Sequence, residues 1–163
     1  MTTRPLRQPQ GYRSKTIATW IALVAGAAGL HRFYLHGLRD RWGWLIVVPS
    51  VVGLYGVQRM RLLGADDQLA WLLIPWLGLT LSTATGSAIV YGLTPDDTWN
   101  ARHNPTGPQH RTGWATIIGV VAALVVGASV LMATIAFSAQ RYFEYQVETG
   151  TGAAQTRNAR PIQ

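Results

Sequence analysis

An all-α, membrane-embedded fold is what this sequence predicts, on three observations. Long apolar stretches carry no formal charge, tryptophans gather at the starts of those stretches, and small residues recur at every fourth position inside them. Formal charge is absent from 16–31, 42–58, 68–95 and 112–140, although the whole chain is 13% charged. A soluble helix keeps charged residues on its outer face, so runs this long without any point to lipid as the solvent. About 20 apolar residues at 1.5 Å each cross the ~30 Å hydrocarbon layer.

The expected architecture is an integral membrane protein with four transmembrane helices and five sequence regions. A basic tail covers 1–15, and helices run over about 16–35, 42–57 and 69–93. A polar loop spans 94–113, a fourth helix spans 114–140, and a tail spans 141–163. Helices three and four are long enough on their own. Helices one and two are short and reach the interface through the apolar stems of Lys15, Arg32, Arg41 and Arg59, whose charges snorkel to the headgroups. The competing geometry for these two is a hairpin that dips in without crossing. From about 149 onward the tail is small and polar and is expected to be disordered.

Trp42, Trp44, Trp71, Trp76 and Trp114 fall in the first turns of helices two, three and four, as interfacial aromatics do. Packing is expected along Ala18, Ala22 and Gly26 in helix one, Gly78, Ser82 and Gly86 in helix three, and Gly119, Ala123 and Gly127 in helix four. In lipid, close backbone approach at small residues supplies the contact energy that water would otherwise drive. Intrachain bundle packing is favoured over a homodimer face. Pro49 and Pro75 should bend their helices, since each removes a backbone donor.

Orientation follows from basic residues in the short connectors. Arg4, Arg7, Arg13, Lys15, Arg59, Arg61, Arg141, Arg157 and Arg160 fall on one side of a four-span chain. Arg32, Arg39, Arg41, Arg102 and Arg111 fall on the other. Nine against five places both termini in the cytoplasm and turns the first connector outward. A basic start followed by Ala25, Gly26, Ala27 and Ala28 also resembles a secretory signal, but His31-Arg32 follows at once.

Several function classes find little support. Without cysteine there is neither a disulfide framework nor thiolate chemistry. No Asp, Glu, Lys or Arg lies inside a run, which removes the usual proton relay or ion-coupling site. Basic residues are spread over both sides rather than forming a nucleic-acid surface, and the chain carries no cofactor or metal motif. Two competitors to a non-catalytic role remain. One is a small transporter or channel using the hydroxyls Thr80, Ser82, Thr83, Thr85 and Ser87 beside Pro75. The other is a lipid-modifying enzyme using Asp96, Asp97, His103 and His110, although a solvated interfacial loop explains that stretch better. Asp66-Asp67 reads as a cap for helix three.

The first connector, Gly29-Leu30-His31-Arg32-Phe33-Tyr34-Leu35-His36-Gly37, holds the densest set of special side chains. Arginine and histidine at a helix end can hold lipid phosphates, while Phe33 and Tyr34 anchor at headgroup level. His31, Arg32, Phe33 and Tyr34 are therefore the candidate headgroup or partner contact. Lys15, Gly26, Gly29, His31, Arg32, Phe33, Tyr34 and Leu35 also resemble the hallmark of the TM-two domain family of small membrane proteins, over roughly Lys15–Leu81. The sequence departs from that pattern at His36, where the family tends to have glycine, and at Pro75, where it often has aspartate. The resemblance implies two helices joined by this loop, extended here into a bacterial four-helix variant whose relatives largely lack an assigned activity. The expected function is a non-catalytic interaction or scaffold module of the inner membrane. Its expected partners are the lipid bilayer and another membrane protein or itself.

Overall fold

The computed structural model describes residues 12–106 and 108–158, with side chains through Gly150; most of the basic tail and residues 159–163 lie outside the described residues. Every described element is helical. The order is α1 (Lys15–Ala25), a 3-10 turn (Gly26–Ala28), α2 (Leu30–His36), α3 (Arg41–Leu63), α4 (Gln68–Leu93), α5 (Asp96–His103) and α6 (Trp114–Asn158).

The first apolar run is where the fold departs most from expectation. Ser14 caps α1 by accepting from the Ile17 amide, but the helix lasts only 11 residues before the 3-10 turn breaks it. Gly29 then takes φ +69°, a left-handed conformation that lets the chain reverse. A side chain there would also come 2.7 Å from the Gly43 carbonyl oxygen, so glycine is required for space as well as for φ. The reversed segment, α2, runs back beside α1. Leu35 shares a buried cluster with Ala18 and Trp99, and the Tyr34 hydroxyl accepts from the Ser14 amide at 3.1 Å. Gly37, at φ +84°, ends α2 on the side where α1 began.

The expected single helix over about 16–35 is therefore a helical hairpin, α1 and α2 joined by the 3-10 turn. Three helices, over 41–63, 68–93 and 114–150, are long and apolar enough to cross a membrane. Three such helices are found where four were expected, the remaining apolar run forming the shorter α1–α2 hairpin. The start of α1 meets the end of α4, where the Lys15 ammonium donates to the Thr94 carbonyl at 2.8 Å, and it meets the start of α6, where the Thr16 and Thr116 hydroxyls share a 2.7 Å bond. At the opposite end Arg141 lies over the Trp71 ring in the first turn of α4. We call these the proximal and distal ends. The N-terminal start of α1 is proximal and the C-terminal half of α6 is distal. The expected disorder from about 149 also gives way, as α6 remains helical through Asn158.

Small residues do hold the bundle together. Ala22 and Ala123 are fully buried with Ala88 between α1, α6 and α4. Gly26 lies against Ala84, Gly119 against Thr19 and Trp20, Gly78 against Thr134, and Gly127 against Thr85. Two of the expected packing positions differ. Gly86 has nothing within 4 Å of where a side chain would stand, and Ser82 turns back to donate to the Gly78 carbonyl of its own helix. The closest unanticipated approach to another helix's backbone is α3 on α4, where a Cβ at Gly53 would stand 2.5 Å from the Leu77 amide nitrogen.

Backbone atoms cannot yield as a flexible side chain can, so Gly53→Ala should destabilise by about 1–3 kcal/mol through overpacking. Gly86→Ala should be neutral or stabilise by about 0.5–1 kcal/mol through helix propensity. Thermal unfolding of the two variants in one detergent measures the contrast, and equal shifts would contradict the α3–α4 contact.

Candidate functional site: the polar cap at the proximal end

The densest polar network forms where the short segment 12–14, α2, α5 and the start of α6 converge. Lys15 is buried, and its ammonium reaches Asp96 Oδ1 at 2.5 Å across 81 positions of sequence. Asp96 also accepts from the Thr112 amide at 2.8 Å and the Thr112 hydroxyl at 2.5 Å. Desolvation works to raise the Asp96 pKa, but hydrogen bonds from Lys15 and Thr112 outweigh it and hold the carboxyl well below the usual carboxylate range.

The loop expected to be solvated, 94–113, is instead built into the fold. Trp99 is buried in α5 and its indole donates to the Arg13 carbonyl at 3.0 Å. Asn104 brackets the same residue, accepting from the Arg13 amide at 2.8 Å and donating to its carbonyl at 3.1 Å. Asn100 donates to the His110 carbonyl at 2.9 Å and accepts from the His110 amide at 2.7 Å. The His110 ring shares a 2.8 Å bond with the Tyr12 hydroxyl. Burial pushes the His110 pKa down, which keeps the imidazole neutral in that contact.

The four candidate contact residues turn inward to this assembly. His31 is buried against Tyr91, with ring centroids 5.9 Å apart, and its Nδ1 lacks a hydrogen-bond partner among the described residues. The Arg32 guanidinium donates to Asp40 at 2.8 Å, and that bond, acting against partial desolvation, lowers the Asp40 pKa. Asp40 also caps α3 through the Trp42 amide. Phe33 lies in the space left by Gly43 and tilts against Trp44 at 5.5 Å. Tyr34 takes the Ser14 amide on its hydroxyl and the Arg13 guanidinium on its carbonyl oxygen. All four therefore brace the hairpin against its surroundings.

The residues of the two competing readings are dispersed or already bonded. Ser82, Thr83, Thr85 and Ser87 each donate to a carbonyl one turn back in α4, while Thr80 donates to the Leu77 carbonyl with its hydroxyl 3.1 Å from that of Ser50. Ser50 also donates to the Ala27 carbonyl at 2.6 Å, tying the hairpin's tip to α3 and α4. Among the described residues no three His, Asp or Glu side chains gather as a metal site. Asp66-Asp67 does less as a cap than expected, since Asp67 stands at the N-cap of α4 without a side-chain cap bond and pairs with Arg59 at 2.5 Å.

Sequence reasoning missed Lys15, Tyr12, Trp99, Asn100, Asn104 and Thr112 as parts of one assembly. One signal was available: Lys15 is the last charge before an apolar run that is too short to cross. Comparisons with known proteins return no matching family model, no matching curated protein and no matching solved structure.

Asp96→Asn should destabilise the bundle by about 3 kcal/mol, because it leaves a buried ammonium without its counter-charge. Asp97→Asn, at an exposed neighbour, should stay within about 0.5 kcal/mol. The pH signs agree for both shifted groups. Asp96 contributes fully above about pH 4 and His110 above about pH 6.5, and each contribution is lost as pH falls through its lowered folded pKa. Unfolding curves from pH 8 to pH 3 should show stability falling on the acid side, with a shallower fall in Asp96→Asn. An unchanged acid limb in that variant would contradict the pairing.

Proposed function

We propose that the protein is a non-catalytic integral membrane module that crosses the bilayer three times and carries a re-entrant hairpin on its cytoplasmic face. The observation that carries this reading is the outward surface of the bundle. In the most apolar window of α6 only 6% of the residues are buried, and α3 exposes Trp44, Leu45, Val48, Val51 and Leu54. Surface of this extent and composition needs a lipid solvent. Most polar groups at the proximal end are engaged with one another, His31 Nδ1 and His110 Nε2 being without partners among the described residues, which suits a bracing role better than a reactive one.

Orientation follows from the same topology. Among the described side chains, Arg13, Lys15, Arg32, Arg39, Arg41, Arg102 and Arg111 belong to the proximal end, against Arg59, Arg61 and Arg141 at the distal end. Seven against three assigns the proximal end to the cytoplasm. The N-terminal segment is then cytoplasmic and the distal half of α6 extracytoplasmic, across an inner membrane in the bacterial setting that the TM-two resemblance implies. The bilayer is the first partner. A helix of another membrane protein or of a second copy is the partner class that the outward faces of α3 and α6 fit.

The chain has no cysteine, so single-cysteine variants report topology without background. Leu38→Cys and Gln109→Cys should resist a membrane-impermeant maleimide applied outside intact cells, while Gly64→Cys and Tyr145→Cys should react. Labelling of positions 38 and 64 from the same side would contradict the three-span arrangement. Labelling of 38 and 109 alone from outside would reverse the orientation.

A further inference from the structure

The distal halves of α4 and α6 diverge around a lateral groove of about 730 Å³. It is lined by aromatic side chains, Trp71 and Trp76 on α4 and Tyr142 on α6, together with Leu72 and Leu79. Arg141 stands in the lining as the first charge after the uncharged run 112–140. Its guanidinium is stacked 4.8 Å from the Trp71 ring centre and 5.6 Å from that of Phe137, and one terminal nitrogen donates to Glu144 at 2.6 Å. The Nε–H is buried and has no acceptor among the described residues.

We propose that this groove is a phospholipid site, with the lipid phosphate on Arg141 and one acyl chain along Leu72 and Leu79. Three features converge on that occupant, given the membrane reading above. A groove of this size is in the range of small-molecule sites, about 300–1,000 Å³. Its apolar lining suits a hydrocarbon chain, and the ring of tryptophan and tyrosine sets its mouth at headgroup depth. Arg141 places a guanidinium in the groove lining at that depth, and phosphate is the acceptor that an arginine fork fits with two parallel bonds. Stacking on Trp71 and the bond to Glu144 fix the fork's direction before the ligand arrives. The shared phosphate selects phospholipids as a class, and the requirement for an acyl chain excludes free inorganic phosphate as the occupant.

Native mass spectrometry of the full chain in mild detergent tests this directly. Phosphatidylglycerol, the diacylglycerol with the same chains, and inorganic phosphate serve as probes. The wild type should retain one phosphatidylglycerol, bind diacylglycerol at least tenfold more weakly, and keep its lipid in excess inorganic phosphate. Arg141→Gln should lose at least tenfold in lipid retention, Arg141→Lys should lose less, and Ser138→Trp should block the groove with Arg141 intact. Equal retention by wild type, Arg141→Gln and Ser138→Trp would overturn the site, as would equal binding of diacylglycerol. Vesicle flotation of the same variants separates the two readings, since a chain that floats with vesicles yet retains no lipid overturns this site and leaves the membrane reading standing.

Discussion

The reach of α1 governs the rest of the molecule. Eleven helical residues rise only about 16 Å, roughly half the thickness of a bilayer's hydrocarbon, so α1 by itself is too short to span one. On the membrane reading proposed above, the broken backbone of the turn would have no water to bond, and irregular structure there survives only where protein covers it. The bundle supplies that cover. Gly26 seats the turn on Ala84, Gly29 seats it on the Gly43 carbonyl, and the Ser50 hydroxyl reaches the Ala27 carbonyl exposed at the tip.

A hairpin that dips and returns must be held at its mouth, because both of its legs are too short to be stabilised by their own hydrogen bonds. The polar cap performs this holding. Lys15 at the start of one leg is tied to Asp96, and Tyr34 at the end of the other is tied to Ser14 and Arg13. A buried ion pair adds little net energy over an apolar substitute, but removing one partner is costly, so such a pair fixes geometry more than it adds stability. Here the fixed geometry is register. Lys15 meets the first turn of α5, and α1 can then slide neither toward nor away from α4.

Much of this was legible in the sequence, and what was not follows a physical pattern. Uncharged runs and the tryptophans at their starts marked α3, α4 and α6 because the length and apolarity of a helix are read from composition, which is local information. Ala22, Gly26, Gly78, Gly119, Ala123 and Gly127 lie where the four-residue spacing placed them, at close helix contacts. Gly86 carries the same spacing and meets nothing, since spacing gives a stripe but not how far along it the neighbour reaches. Lys15 was read as a snorkelling lysine because its partner stands 81 residues away, and no local pattern reports a pairing of that span. His31, Arg32, Phe33 and Tyr34 have the chemistry of contact residues in either role. Only the fold shows that their partners lie within the chain.

The two ends of the bundle differ in how they are held. The proximal end ties α1, α2, α5 and the start of α6 together with side-chain hydrogen bonds, whereas the distal half of α6 meets α4 alone across a groove and exposes Tyr142, Phe143 and Tyr145. Local stability follows contact density, so the distal half of α6 is the segment with the least to hold it in register. Arg141 and Glu144 pair along their own helix, a bond that stiffens α6 without fastening it to α4. Among the described residues, the Arg141 stack on Trp71 is the charged contact that crosses the seam, and Arg141 also lines the groove. A ligand accepting there while packing against the α4 side of the lining would bond to both helices at once. That would supply at the distal end the cross-helix tie that Lys15 and Asp96 supply at the proximal one.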